Sequence, residues 1–298
     1  MIQPLYLGRV DYAEALSLQA EIAALVAVGR LANVLLLLEH PAVLTLGRHA
    51  NRANVLASDD LLAQRGITLH QTNRGGDVTY HGPGQLVGYP LFDLRTLKAP
   101  NGGRIGPVDF VRGMEEALIR LCAGYGVPAG RIEGLTGVWC GKAGNREQGI
   151  GNSAPVDADA TPLPGSPGPE RKIAAIGIHV SKGITSHGFA FNLTTHLADF
   201  GLIVPCGIVD HAVTSLQVEL ATAPAQPGAM PAFESVAHQA ARQFGLVFDQ
   251  PVLAITSLAE LRAQAAAAAP VFPAEDTPLQ VPAELDRLRC AAAPPVRA

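Results

Sequence analysis

The chain has 298 residues, of which 48% are hydrophobic and 16% charged, the balance of a folded protein with a large core and not of a solvated, disordered chain. Its formal net charge of −4 excludes a general nucleic-acid binder, which needs a basic footprint. The longest strongly apolar run, Val34 to Leu38, is too short to span a bilayer, and Met1 to Val10 shows no basic flank leading into an apolar stretch, so a soluble, cytoplasmic protein is expected, with no membrane contact.

Asp11, with Glu14 three residues on, forms a capping-box-like start for a helix running to about Val28, with Gly29 as its stop. Asn33 to Leu38 reads as a buried strand and Val43 to Leu46 as a second, short one. Leu61 to Arg65 fits a short helix, and Ile67 to Gln71 alternates like a strand. Pro107 opens a long helix that ends at Gly124 or Gly126, with Phe110, Val111, Met114, Leu118 and Leu121 at helical spacing. Val138 to Cys140, Lys172 to Val180 and Ile184 to Leu193 read as strands, the last two joined by a Lys182-Gly183 turn. Pro231 to Phe244 is a further helix, and Leu246 to Phe248 a closing strand. Hairpin-connected strands interleaved with helices predict an α/β (α+β) fold with a mixed, largely antiparallel sheet and flanking helices, and not a doubly wound one. Residues 1–264 form one folded unit in this reading. Within it, Gly141 to Arg171, rich in Gly, Pro, Ser and Asp, is a surface insertion, and Ala221 to Pro231 a smaller Pro-rich loop; residues 265–298 are an Ala/Pro-rich, disordered tail.

The densest chemical signal is Arg74-Gly75-Gly76-Asp77-Val78-Thr79-Tyr80-His81-Gly82-Pro83-Gly84-Gln85-Leu86-Val87-Gly88-Tyr89. Its glycines allow close backbone approach, and between them sit a guanidinium, a hydroxyl, an imidazole and an amide that can aim hydrogen bonds. Both the P-loop and the dinucleotide glycine spacings fail. Four cysteines (Cys122, Cys140, Cys206, Cys290) form no C-x-x-C pair, which points to reduced thiols. Cys206, between Pro205 and Gly207, sits on a bend where a thiol can be exposed, though by residue type alone a structural reading stands equal. Cys122 and Cys140 lie in apolar surroundings and read as core. Lysines are scarce (Lys98, Lys142, Lys172, Lys182). Nine histidines are scattered without H-x-x-x-H spacing, so no metal site is expected. His187 fits a pocket wall or a structural role equally. Arg48, Arg52, Arg65 and Arg74 offer a local basic face.

The glycine-rich run resembles the signature of the octanoyl-[acyl carrier protein]-protein N-octanoyltransferases, also called lipoyl(octanoyl) transferases. Glu39 to Arg48, Arg171 to Gly177, Ser186 to Leu193 and Ile203 to Ile208 are similar to further segments of that family, in order, so that the resemblance covers roughly residues 5 to 250. The insertion and the tail depart from the usual pattern. The resemblance implies a fold related to the catalytic domain of biotin and lipoate protein ligases. It also implies an acyl-thioester intermediate on Cys206, with Lys172 as its activating partner. Substrate contacts would fall on Arg74, Gly75, Gly76, Asp77, Val78, Thr79, Tyr80 and His81, on Ala175, Ile176 and Gly177, and on Gly188, Phe189 and Ala190. The implied donor is octanoyl-acyl carrier protein. The implied acceptors are lipoyl domains of 2-oxoacid dehydrogenase E2 subunits and the glycine cleavage H protein, with no cofactor.

The chemistry suits these residues. Exchange of one thioester for another is close to thermoneutral, and thioester to amide runs downhill, so no ATP is required. A free cysteine ionises near pH 8.5, and a neighbouring ammonium favours its thiolate. As a neutral amine the same lysine can take the proton that the attacking acceptor lysine must lose. The rival readings are an ATP-dependent lipoate or biotin ligase, a non-catalytic carrier-binding module and a thioesterase.

Overall fold

The computed structural model describes residues 1–98, 102–141, 170–204, 212–222 and 230–268. In chain order the elements are β1 (Ile2–Arg9), α1 (Tyr12–Ala27), β2 (Asn33–Glu39), β3 (Val43–Leu46), α2 (Asp59–Gln64), β4 (Thr68–Gln71), β5 (Val78–His81) and β6 (Gln85–Leu91). There follow α3 (Pro107–Gly124), β7 (Ala129–Ile132), β8 (Leu135–Cys140), β9 (Arg171–Ser181), β10 (Ile184–Asn192), β11 (Ala212–Val213), α4 (Leu216–Thr222), α5 (Phe233–Val247) and α6 (Leu258–Ala267). An eight-stranded sheet runs β1-β2-β6-β10-β9-β8-β7, with β11 added beside β9; a three-stranded sheet runs β4-β3-β5. In the large sheet β1 pairs parallel with β2 and β11 parallel with β9, and the remaining neighbours are antiparallel. This is the mixed, largely antiparallel sheet with flanking helices that the hairpin pattern predicts.

The unbroken apolar run of β2 follows from its central place, since a strand covered on both faces needs no polar alternation. Leu35 and Leu37 point into one core with Phe110, Met114, Val236 and Phe244 from α3 and α5. Val34, Leu36 and Leu38 point into a second core with Ala15, Leu18, Ile22 and Val26 from α1. Period-2 alternation in the strand thus feeds two cores from adjacent residues. Asp11 caps α1 as its sequence position foretells, its carboxylate accepting from the backbone N–H groups of Ala13 (2.8 Å) and Glu14 (3.4 Å). A third core, under the small sheet, gathers Leu44, Leu46, Val78 and Tyr80 with Phe200 and Leu202.

One expected element is overturned. Leu246 to Phe248 is not a strand: α5 continues through Val247, and the Phe248 N–H closes it on the Phe244 carbonyl at 3.0 Å. Gly245, between the expected helix and the expected strand, packs inside the helix where a Cβ would meet Val252 at 2.3 Å. The Phe248 ring lies against Phe110 of α3, with centroids 5.1 Å apart. Tertiary packing therefore outweighs the weak helix propensity of glycine. The strands β1, β5, β6, β7 and β11 and the helices α4 and α6 are additions to the expected set. The chain ends of the expected insertion lie side by side, with Cys140 paired to Arg171; its interior, 142–169, falls outside the described residues. So does the expected tail beyond Ala268, of which residues 265–267 belong to α6. Among the described residues no helix is long and apolar enough to cross a membrane.

Candidate active site

The glycine-rich run joins the two sheets. Its strand β5 belongs to the small sheet and β6 to the large one, with Gly82 to Gly84 turning between them. Alternation along β5 sends Val78 and Tyr80 into the third core, where the Tyr80 hydroxyl donates to Asp199 at 2.9 Å. Thr79 and His81 face the other way, into a cavity between the sheets. That cavity is narrow, with about 50 Å3 of free space, well below the roughly 300–1,000 Å3 usual for small-ligand sites.

Of the expected contact residues, Arg74, Gly75, Gly76, Thr79 and His81 line the cavity, as do Ala175, Ile176 and Gly177 from β9 and Gly188, Phe189 and Ala190 from β10. Asp77, Val78 and Tyr80 do not. Asp77 accepts from the Asn51 backbone N–H (3.0 Å) and the Asn54 side-chain amide, so it pins a neighbouring loop. Tyr12, Val87, Tyr89 and His187 complete the lining. Val87 and Tyr89 lie inside the quoted run, where period-2 spacing from Gln85 would have pointed to them. Tyr12 comes from the first turn of α1 and has no local signal.

Close backbone approach shapes this wall. The Gly75 N–H donates to the Ile178 carbonyl at 2.9 Å, and a Cβ on Gly177 would sit 2.7 Å from the Gly75 carbonyl oxygen. On Gly188 a Cβ would lie 2.1 Å from the Gly88 carbonyl oxygen. Only glycine permits either contact.

Arg74 is not on the surface. It is 7% exposed, and its guanidinium donates to the Thr45 hydroxyl (3.1 and 2.9 Å), the Thr45 carbonyl (2.6 Å) and the Gly75 carbonyl (3.1 Å). Of the other arginines expected to form a basic face, Arg52 is paired with Asp59 (2.5 Å) and Arg65 with Asp199 (3.4 Å), while Arg48 bonds His179 (2.7 Å). Two of the four are therefore paired with carboxylates, and Arg74 is drawn into the interior.

From Arg74 a chain of hydrogen bonds crosses the molecule. Thr45 meets His81 Nε2 at 3.5 Å, and His81 Nδ1 bonds Gln85 Oε1 at 2.8 Å. Gln85 donates to Asn192 at 2.9 Å, and Asn192 donates to the Thr214 carbonyl at 2.9 Å. The Thr214 N–H donates in turn to the Lys172 carbonyl at 2.9 Å. Buried polar groups linked in this way rigidify a site only when every member is satisfied.

Lys172 is the second residue of β9 and is itself 9% exposed. It does not line the cavity; at about 3.3 Å per residue it lies about 10 Å along the strand from Ala175. Its Nζ stands over the Trp139 ring, 4.6 Å from the centroid. Below it is Gly137 (φ +126°), where a Cβ would sit 3.4 Å from Lys172 Cε and 2.6 Å from the Ala174 carbonyl oxygen. The Gly137 N–H donates to the buried carboxylate of Glu115 at 3.0 Å. Cys206 falls outside the described residues. The flanks of its segment are described: the Val204 N–H donates to the Asn54 carbonyl at 2.7 Å, and Ala212 pairs with Arg171. Cys122 and Cys140 are both buried, and burial pushes both thiols up, Cys140 to about 12. Neither is a nucleophile at neutral pH.

Burial holds His40 and His187 neutral down to about 4, and His81 to about 3. The unfolded chain binds protons at these positions near pH 6.5. Stability is therefore full above pH 6.5 and falls as pH drops toward 4, by up to about 1.4 kcal/mol per pH unit for each histidine. Thermal melts between pH 7 and 4.5 should show a steepening loss. The triple variant His40→Gln, His81→Gln, His187→Gln should flatten that slope; an unchanged slope would refute the assignment.

The architecture is that of lipoate-ligase catalytic domains. A bipartite lipoate protein ligase of Thermoplasma acidophilum superposes with a TM-score of 0.58 at 16% identity, over 89% of this chain and 91% of that one. A lipoate-protein ligase A bound with ATP gives 0.58 at 15%, over 89% and 93%. At such identities the likeness concerns fold alone. A family model described as the lipoyl protein ligase A/B catalytic domain matches residues 11–244. The octanoyltransferase of Acidobacterium capsulatum is 53% identical over 258 residues, 86% of this chain and 94% of that protein. That of Koribacter versatilis is 44% identical over 288 residues, 97% of each. The chain belongs to the lipoyl protein ligase A/B catalytic-domain family, on its octanoyltransferase side, and is an acyltransferase.

Proposed function

We propose that the chain transfers an octanoyl group from octanoyl-acyl carrier protein to a lysine of a lipoyl domain, through a thioester on Cys206 assisted by Lys172. The observation that carries this reading is the cavity between the sheets, with apolar walls from Val87, Ile176, Phe189 and Ala190 and one side built from glycine backbone. Such a slot suits a flexible alkyl chain, which gains by leaving water at about 0.8 kcal/mol per buried CH2. In the first step the Cys206 thiolate attacks the carrier thioester and the carrier thiolate leaves, taking the proton of the Lys172 ammonium and so leaving that amine neutral. In the second, the acceptor amine attacks the acyl-enzyme and gives its proton to the neutral amine of Lys172, and the Cys206 thiolate departs. Suitable acceptors are the lipoyl domains of 2-oxoacid dehydrogenase E2 subunits and the glycine cleavage H protein, in the cytoplasm.

Mixing the purified chain with octanoyl-acyl carrier protein and a lipoyl domain, without ATP, tests this. Mass spectrometry should find an octanoyl adduct (+126 Da expected for C8H14O, roughly, by acyl-for-hydrogen exchange) on the Cys206 peptide and then on the lipoyl lysine. Transfer that needs ATP and free octanoate would instead favour the ligase reading.

A further inference from the structure

The amine assigned to proton transfer is seated against an aromatic ring. Register across β8 and β9 sets Trp139 opposite Lys172. Lys172 Nζ stands 4.6 Å from the centroid of the Trp139 ring, inside the roughly 6 Å within which a ring face attracts a cation. The ring is 1% exposed and the lysine 9%, so little water screens the pair. The charged groups on the neighbouring elements are already engaged. Glu115 of α3 is held by Arg112, Arg131 and the Gly137 N–H. Glu219 of α4 is held by Arg171 at 3.0 Å and by the Thr214 hydroxyl at 2.6 Å. Cys140, next to Trp139 on β8, stays a neutral thiol, pushed up to about 12 by burial. From the other side β11 brings only Val213 beside Lys172.

A proton shuttle must hold a proton firmly enough to have one to give and loosely enough to part with it. In the transfer reading Lys172 does both in turn. As an ammonium it protonates the departing carrier thiolate, and as an amine it takes the acceptor's proton. Burial alone drives a lysine toward the neutral form. An aromatic face opposes this, since it attracts the ammonium and not the amine, but it attracts less than a carboxylate in the same place would. We propose that Trp139 is the positioning residue of this shuttle: its ring face holds the Lys172 nitrogen near the start of β9 and favours the ammonium enough for the amine to give and take a proton in turn. The inference rests on the transfer reading and adds to it a residue that acts through Lys172.

The chain has one tryptophan, so growth on fluorinated tryptophan alters the Trp139 ring and no other. Fluorine withdraws charge from the ring face while nearly keeping its shape, so mono-, di- and trifluorinated chains weaken the attraction in steps and leave the packing in place. Two measurements on the full chain follow the amine. The first needs no substrate: the emission of Trp139 is titrated against pH, and the step that Lys172→Met removes reports the ammonium. The second is the single-turnover rate of octanoyl adduct formation from octanoyl-acyl carrier protein, whose alkaline limb reports loss of the same proton. Both midpoints should move to lower pH together, in order of fluorine number, by about one pH unit in all, the shift that matches a ring–ammonium attraction of ordinary strength. A merely structural role would slow adduct formation equally at every pH and leave both midpoints in place, which overturns the inference. An emission midpoint that moves while the alkaline limb stays fixed also overturns it, by separating the ring's hold on the amine from the reaction. Absence of any adduct from the unsubstituted chain strikes the transfer reading itself, and the inference with it.

Discussion

Lys172→Met should lower the rate of octanoyl transfer by about 10²–10⁴-fold, the usual contribution of a positioned proton-transfer group, while leaving the fold intact. Methionine keeps the length and apolar character of the stem, which lies between Gly137 and the Trp139 ring. The charge is lost and the packing is kept. Lys172→Arg should not restore activity, because a guanidinium stays protonated and cannot accept a proton from the acceptor amine, and its planar fork does not fit a seat shaped for one ammonium. Single-turnover measurements separate the two jobs assigned to this amine. If Lys172 favours the Cys206 thiolate, adduct formation slows; if it takes the acceptor's proton, the adduct accumulates and its discharge slows. Cys206→Ala should abolish both adduct and product, whereas Cys140→Ala should abolish neither. A Lys172→Met enzyme of wild-type rate would remove the amine from the mechanism.

Glu115→Ala should destabilise the protein by about 3–5 kcal/mol, the range seen when one partner of a buried charge pair is removed. Its carboxylate is fully buried in α3 and bonds Arg112 (2.7 Å), Arg131 (3.1 Å) and the Gly137 N–H (3.0 Å). Arg131 keeps Glu116 at 3.1 Å, but the Gly137 N–H loses its acceptor inside the protein. At roughly 2–4 °C per kcal/mol for a chain of this size class, the melting temperature should fall by about 10 °C. Glu115→Gln, which keeps an acceptor for Gly137 while losing the charge, should fall by less. Because Gly137 forms the floor under Lys172, transfer should weaken even in the folded fraction. A melting temperature within 2 °C of wild type, as a rough bound on the same scale, would show that the carboxylate is dispensable.

Local signals were readable where they were strong. The apolar run at Val34 to Leu38 could only be a strand buried on both faces, and Asp11 and Pro107 mark helix starts by the hydrogen-bonding needs of a first turn. The strands flanking Gly82 to Gly84 were hidden because glycine and proline lower strand propensity, and their pairing with β3 and β10 is non-local. Pro4 and Gly8 mask β1 in the same way. At Gly245 the expected helix falls short, since packing keeps the chain helical through a glycine. For the site, the glycine-rich run announces itself by composition, yet which of its side chains meet the cavity depends on strand phase, and Asp77, Val78 and Tyr80 fall on the wrong side. Tyr12 and Glu115 come from helices far along the chain, and no spacing rule reaches them. Lys172 and Cys206 were singled out through family resemblance, because one lysine at a strand end looks like any other.

The seam between the sheets also bounds the two described ends between which the proposed nucleophile, Cys206, falls in the sequence. On the small-sheet side Val204 is tied to Asn54 and Ile203 bridges to Val55, and Ala212 lies beside β9 of the large sheet. If Cys206 carries the acyl group as proposed, one joint sets both the room for the hydrocarbon and the distance between Val204 and Ala212. A change that pries the joint apart to admit longer fatty acyl groups should then slow the reaction with every donor.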